Sequence, residues 1–215
     1  MPIVAIGNLK GGVGKSTLAV NLACELAASR TVHLVDADAQ ATAFEWMGGG
    51  LLPIRGEALP LEDERKAAAW IKRVQAASAD LVIIDLPPAV GAATAAALII
   101  ADLFLVPVAP SGLDLRAAAK ALDLLQEARQ ARGQGQPRAL LVPSRVDRRT
   151  GAGREIEAAL HEMGEPVGPV IGDRAAFVDS ATARDWIGAF APRSVAHQEV
   201  QALAAVVGRI TKGRK

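Results

Sequence analysis

The chain has little of what staples, spans or stacks. One cysteine, Cys24, occurs in 215 residues, so no disulfide framework can form within the chain, and a reducing cytosol is the expected home. Tyrosine is absent and aromatics make up 3%; Trp70 and Trp186 stand alone in sequence and are expected to pack in a core. No apolar run reaches the roughly 18–20 residues needed to span a bilayer. The longest candidate, 89–108, is interrupted by Asp102 and Pro107. The first residues enter an apolar stretch with no basic leader, and no signal peptide is expected. His33, His161 and His197 lack metal-ligand spacing. Charge of either sign is not in excess. The net value is +1, so contact with nucleic acid or a membrane must come from a local patch.

What is present points to an ordered α/β domain. Hydrophobic residues make up 51% of the chain and charged residues 22%, enough to bury a substantial core. Short apolar runs at 2–8, 31–35, 80–85, 103–108, 138–143 and 167–171 read as strands covered on both faces. Amphipathic or small-residue stretches at 16–29, 61–77, 92–101, 113–132 and 153–163 read as helices. The Gly/Pro-rich segment 48–60 reads as loop, with at most a short strand at 52–54. This alternation predicts one domain over 1–215: an open, mostly parallel, twisted sheet with helices on both faces.

The most informative stretch is Lys10-Gly11-Gly12-Val13-Gly14-Lys15-Ser16-Thr17, between the first strand and the first helix. Three closely spaced glycines let backbone N–H groups turn inward, and the helix N-terminus adds its positive dipole end, so the loop is a cradle for a polyphosphate. Lys15 is placed to lie along the β- and γ-phosphates, and the Ser16 hydroxyl to ligate Mg²⁺. A dinucleotide fingerprint is disfavoured, because GxGxxG from Gly12 ends on Thr17. The chain has only two asparagines, Asn8 and Asn21, so the Asn-Lys-x-Asp motif that reads guanine cannot be present. ATP is favoured over GTP.

Leu9 stands where the general phosphate loop has its first glycine, and Lys10 adds a second lysine. This KGGxGK[ST] pattern resembles the deviant Walker A motif of the ParA/MinD family of ATPases, and the resemblance continues. Asp36-Ala37-Asp38-Ala39-Gln40 is similar to the family's Walker A′ motif, with Ala39 where proline is usual. Asp85, ending the run 80–85, stands at the Walker B position, with Leu86 where the family commonly has threonine. Trp46 follows as in small plasmid-type (ParF-like) ParA proteins. Weaker blocks lie at 106–111, 144–150 and 173–177. The resemblance implies a P-loop ATPase fold and site residues by position. Lys10 would reach the nucleotide of a partner subunit, Lys15 its own, and Asp38 would position the attacking water. Ser16 and Asp85 would hold Mg²⁺ with support from Asp36. Residues 10–17 would bind the phosphates. Pro143 and Ser144 would meet adenine through backbone groups, where the family often has asparagine.

The resemblance also implies an ATP-dependent homodimer, nonspecific binding to nucleoid DNA and a cargo-bound, ParB-like stimulator of hydrolysis. Basic residues toward the C-terminus, Arg184, Arg193, Arg209, Lys212, Arg214 and Lys215, are candidates for DNA contact. MinD-type relatives instead insert a C-terminal amphipathic helix into membrane. Here the stripe Ala196, Val200, Leu203, Val207 and Ile210 lacks Trp and Phe, and a helix packed on the domain is expected. A metabolic ATP-dependent enzyme of the same superfamily is the other rival. The absence of tyrosine disfavours an autokinase tail, and the lone cysteine disfavours a subunit-bridging iron–sulfur cluster.

Overall fold

A computed structural model describes residues 1–133 and 135–212. Arg214 and Lys215, part of the basic tail expected at 212–215, lie outside the described residues. The elements are β1 (Ile3–Ile6), α1 (Lys15–Ala27), β2 (Val32–Asp36), α2 (Thr42–Met47), β3 (Arg55–Ala58), a 3₁₀ turn (Glu64–Lys66), α3 (Ala67–Gln75) and β4 (Leu81–Asp85). They continue with α4 (Ala92–Ile100), β5 (Leu103–Val108), α5 (Gly112–Arg132), β6 (Arg138–Pro143), α6 (Gly151–His161), α7 (Ala175–Thr182), α8 (Ile187–Phe190) and α9 (Val195–Lys212). The strands form one six-stranded sheet in the order β3-β2-β4-β1-β5-β6, and every pairing is parallel.

The two-residue period of the strands sorts the core into two layers. Ile3, Ala5, Phe104 and Val106 face one cluster with α3, α4, α5 and α6. Val4, Ile6, Leu34 and Leu105 face the other with α1, α2, α7, α8 and α9. β1, β2, β4, β5 and β6 are therefore covered on both sides, as their near-continuous apolar sequences require, while the edge strand β3 is not. The stripe on α9 is buried at Ala196, Val200, Leu203 and Val207, packed in the cluster that includes Leu18 and Leu22 of α1.

Two expectations about strands are corrected. The short strand placed at 52–54 is instead β3 at Arg55–Ala58, which pairs with His33–Asp36 of β2. Gly56 hides it from a propensity reading. It is nonetheless required, since a Cβ there would stand 2.4 Å from the Leu34 carbonyl oxygen. The strand expected at 167–171 is reduced to isolated bridges, Leu141 with Val167 and Val146 with Gly172. Pro166 and Pro169 lack the N–H groups a continuous ladder needs.

Candidate functional site

Three strand ends meet at one level. In the sheet register Ile6 stands beside Asp85, and Asp85 beside Asp36. The phosphate loop leaves β1 at this level, the switch point where an open parallel sheet receives its ligand. Gly7 is needed there, because a Cβ would meet Phe104 Cε2 at 2.8 Å and Leu86 Cδ1 at 3.0 Å. Gly12 and Gly14 take left-handed φ of 77° and 92°, a conformation glycine adopts without strain, and α1 starts at Lys15.

The loop is tied down from several sides. Asn8 donates from Nδ2 to the Pro107 carbonyl at 2.8 Å and accepts the Lys10 N–H through Oδ1 at 3.1 Å. Ser144 donates from Oγ to the Val13 carbonyl at 2.8 Å, and Arg145 from Nη1 to the Gly12 carbonyl at 2.9 Å. Lys15 donates from Nζ to the Lys10 carbonyl at 2.9 Å, so its ammonium spans the mouth of the cradle. Burial lowers its affinity for the proton, while Asp85 and Asp38 oppose that effect. A cleft of about 700 Å³ opens here, lined by Gly11, Gly12, Gly14, Lys15, Ser16 and Thr17 together with Asp38, Gln40 and Ser144. That volume falls within the roughly 300–1,000 Å³ usual for small-molecule sites.

The acidic residues divide by their partners. Burial pushes Asp85 up to about 7, against the hydrogen bond from Ser16 that favours its charged form. Its Oδ1 is buried without a hydrogen-bond partner among the described residues. An orphaned carboxylate oxygen beside a serine hydroxyl suits a hard cation such as Mg²⁺. Among the described residues no group of three His, Cys, Asp or Glu side chains could hold a metal alone; phosphate oxygens and waters would have to complete the shell. Asp36, expected to support the metal, is fully buried and gives its oxygens to the backbone. Oδ1 accepts the Asp38 N–H at 3.1 Å and Oδ2 the Phe44 N–H at 2.9 Å. Its visible work is to shape the turn that carries Asp38 and to cap α2. Asp38 is half-buried, lines the cleft, and accepts the Gln40 N–H at 3.0 Å.

Two backbone groups of the residues expected to meet adenine are engaged within the fold. The Pro143 carbonyl accepts the Ile171 N–H at 2.8 Å, and the Ser144 N–H is donated to Val108 at 2.9 Å. Both backbone groups already serve the fold, and the Ser144 hydroxyl serves the loop. The cleft is also lined by Ile171, Gly172, Phe177 and Val178, apolar surface on which a base can lie. Trp46 donates to the Asp185 carbonyl and Trp70 to that of Leu59, both from buried positions, in keeping with packing roles.

One further contact escaped sequence reasoning. Lys10 does not line the cleft. Its Nζ lies 2.7 Å from Asp114 Oδ2, a residue of α5 across the sheet.

Residues 4–185 match the CobQ/CobB/MinD/ParA nucleotide binding domain. The chain belongs to the ParA/MinD family. This is a family of ATPases, and several relatives span most of the chain. The maintenance of carboxysome distribution protein A of Gloeobacter kilaueensis is 39% identical over 166 residues, covering 76% of this chain and 73% of that protein. The chromosome-partitioning ATPase Soj of Thermus thermophilus is 32% identical over 196 residues, covering 76% and 78%. Among solved structures, the septum site-determining protein MinD of Pyrococcus horikoshii, complexed with Mg-ADP, superposes with a TM-score of 0.79 at 21% identity, over 97% of this chain and 96% of that one. The ParA/MinD chain described here therefore shares that protein's fold.

Proposed function

We propose that this chain is a ParA-like positioning ATPase. ATP and Mg²⁺ bind in the cleft, with the phosphates on residues 11–17, Lys15 on the β- and γ-phosphates, and Ser16 and Asp85 on the metal. Asp38 positions the attacking water. Mg²⁺ supplies charge neutralisation on the phosphates; the chain supplies the cradle, the cation Lys15 and the water-directing carboxylate. Two subunits face each other across their nucleotides, and Lys10 of each crosses to the other's ATP. The dimer binds duplex DNA without sequence preference, and a cargo-bound, ParB-like partner stimulates hydrolysis and release. The cargo is a plasmid, a chromosome region or a protein assembly; the name of the Gloeobacter relative favours the last.

The observation that carries this reading is that one loop holds two lysines in different places, Lys15 lining the cleft and Lys10 paired with Asp114 outside that lining. A cation supplied to phosphoryl transfer from another subunit can be worth about 10³–10⁵ in rate, which gives the second lysine a purpose that an isolated subunit lacks. The membrane-cycling alternative loses support because the apolar stripe of α9 is already buried.

Size-exclusion chromatography of the full chain with ATP, ADP or no nucleotide, each with and without nonspecific duplex DNA, tests the proposal. Dimer with ATP alone, and a DNA complex only in that state, are expected. Lys10→Ala should abolish hydrolysis and weaken dimerisation. A Lys10→Ala monomer that turns over ATP normally would end this reading.

A further inference from the structure

Lys10 cannot serve a second subunit while it is held by its own. Its ammonium is bound to Asp114 at 2.7 Å, and the two ends of that pair differ in freedom: the Lys10 side chain is 38% exposed and the Asp114 side chain 4%. Asp114 sits in the first turn of α5, where its N–H donates to the Ser111 Oγ that caps the helix. Its Oδ2 accepts from both Lys10 Nζ and Ser111 Oγ, and its Oδ1 is buried without a partner among the described residues. This carboxylate cannot follow Lys10 outward, and without Lys10 it would be a buried charge with one hydroxyl for support. Breaking a buried pair from one side is costly because it strands the other charge.

We propose that Asp114 is the positioning residue for Lys10. It anchors the lysine within its own subunit, so dimer formation is an exchange of the Asp114 carboxylate for a phosphate of the facing subunit's nucleotide. The proposal rests on the dimer reading above and adds a threshold to it. A subunit meeting only ADP offers no γ-phosphate to compensate the loss of Asp114, so Lys10 stays home. Meeting ATP, it gains a more strongly charged partner. The backbone supports the same logic: Asn8 fixes the Lys10 N–H to the β5 side, so the exchange needs only the lysine side chain to swing.

The experiment compares the full wild-type chain with Asp114→Asn, which keeps the side chain's shape and its capacity to accept from Ser111 but removes the charge. Without nucleotide, acylation by a water-soluble acetyl ester, read by mass spectrometry, should be slower at Lys10 of the wild type than at the exposed Lys66, Lys72 and Lys120. In Asp114→Asn the Lys10 rate should rise, and the protein concentration for half-maximal ATP-dependent dimerisation should fall, each by about tenfold. The same substitution in a Lys10→Ala background should leave residual dimerisation unchanged. Wild-type Lys10 as reactive as the reference lysines overturns the anchor without recourse to any variant. A faster Lys10 in Asp114→Asn with an unchanged or weaker dimer overturns the threshold. If the wild type never dimerises with ATP while Lys10 reactivity behaves as expected, the dimer reading falls and the anchor within the subunit stands.

Discussion

Two aspartates two positions apart at the end of β2 face opposite demands. Asp38 lines the cleft with no task in the core, while Asp36 is buried and holds two backbone N–H groups. Asp38→Ala should therefore keep ATP binding and trap the ATP dimer on DNA, with turnover lowered by about 10²–10⁴ as expected for loss of a proton-handling group. A monomer unable to bind ATP would contradict that role. Asp36→Ala should instead lower unfolding stability in urea by roughly 2–4 kcal/mol, since two hydrogen bonds to a charged acceptor disappear and their donors remain. Cys24 presents a third case. Burial, helped by Asp185 and Glu25, pushes its thiol far above the usual range, so a disulfide reagent should label the chain only after denaturation; rapid labelling of native protein would mean the α1 packing is wrong. The spacing Asp36-x-Asp38-x-Gln40 marked both carboxylates as candidates, one for the water and one for the metal, yet the backbone bonds of Asp36 were not legible, because they depend on N–H groups placed by the following turn and by a helix that begins at Thr42. The partner of Lys10 was further out of reach. Asp114 is 104 positions away, and nothing local marks it as more than a helix-capping residue.

Elements whose identity is set by periodicity were legible, and those set by neighbours were not. The runs at 103–108 and 138–143 became β5 and β6 at their expected bounds, since a strand buried on both faces carries its apolar signature in itself. Helix α2 has six residues and starts after Ala41 in a left-handed conformation, with its N-terminus capped by Asp36 from a preceding strand; neither feature is local. β3 forms because β2 offers an unpaired edge, not because Arg-Gly-Glu-Ala favours extension. Glycine placement yields the prediction at this scale. In the first turn of α6 a Cβ on Gly153 would stand 2.0 Å from the Asp147 carbonyl oxygen, and the segment it would push, 144–150, contains the two residues that tie the phosphate loop, Ser144 and Arg145. Gly153→Ala should cost about 1–3 kcal/mol of stability, as overpacking against backbone does, and should weaken ATP binding although residue 153 does not line the cleft. Unaltered affinity for a fluorescent ATP analogue would show that the loop is held without this segment.

At the scale of the whole molecule the question is what the outer surface can engage. No described helix is long and apolar enough to cross a membrane, and the amphipathic face of α9 is used inward: Val200, Leu203 and Val207 are at most 1% exposed. Undocking α9 to insert it in lipid would strip that cluster, at a cost indicated by the roughly 2–5 kcal/mol of a single buried Leu→Ala change such as Leu203→Ala. Among the residues that α9 leaves outside, Arg209 and Lys212, one turn apart, are basic, and Arg184 and Arg193 on preceding segments are exposed too. With a net charge of +1, one subunit has little long-range attraction for a polyanion, whereas a dimer would present these basic residues twice on one rigid body. DNA affinity should accordingly appear only with ATP. If the dimer neutralises four to six phosphates, the slope of log K against log salt should be about −4 to −5, with random and specific duplexes indistinguishable. Both basic residues also lie in the last turn of α9, where they favour the helix dipole, so loss of binding on charge reversal could reflect fraying. Arg209→Gln/Lys212→Gln removes the charges more gently. Paired with circular dichroism and ATP-dependent dimerisation, it should flatten the salt slope by one or two for each subunit while helix content and dimer remain. A variant that keeps the full slope would move the DNA face elsewhere on the dimer.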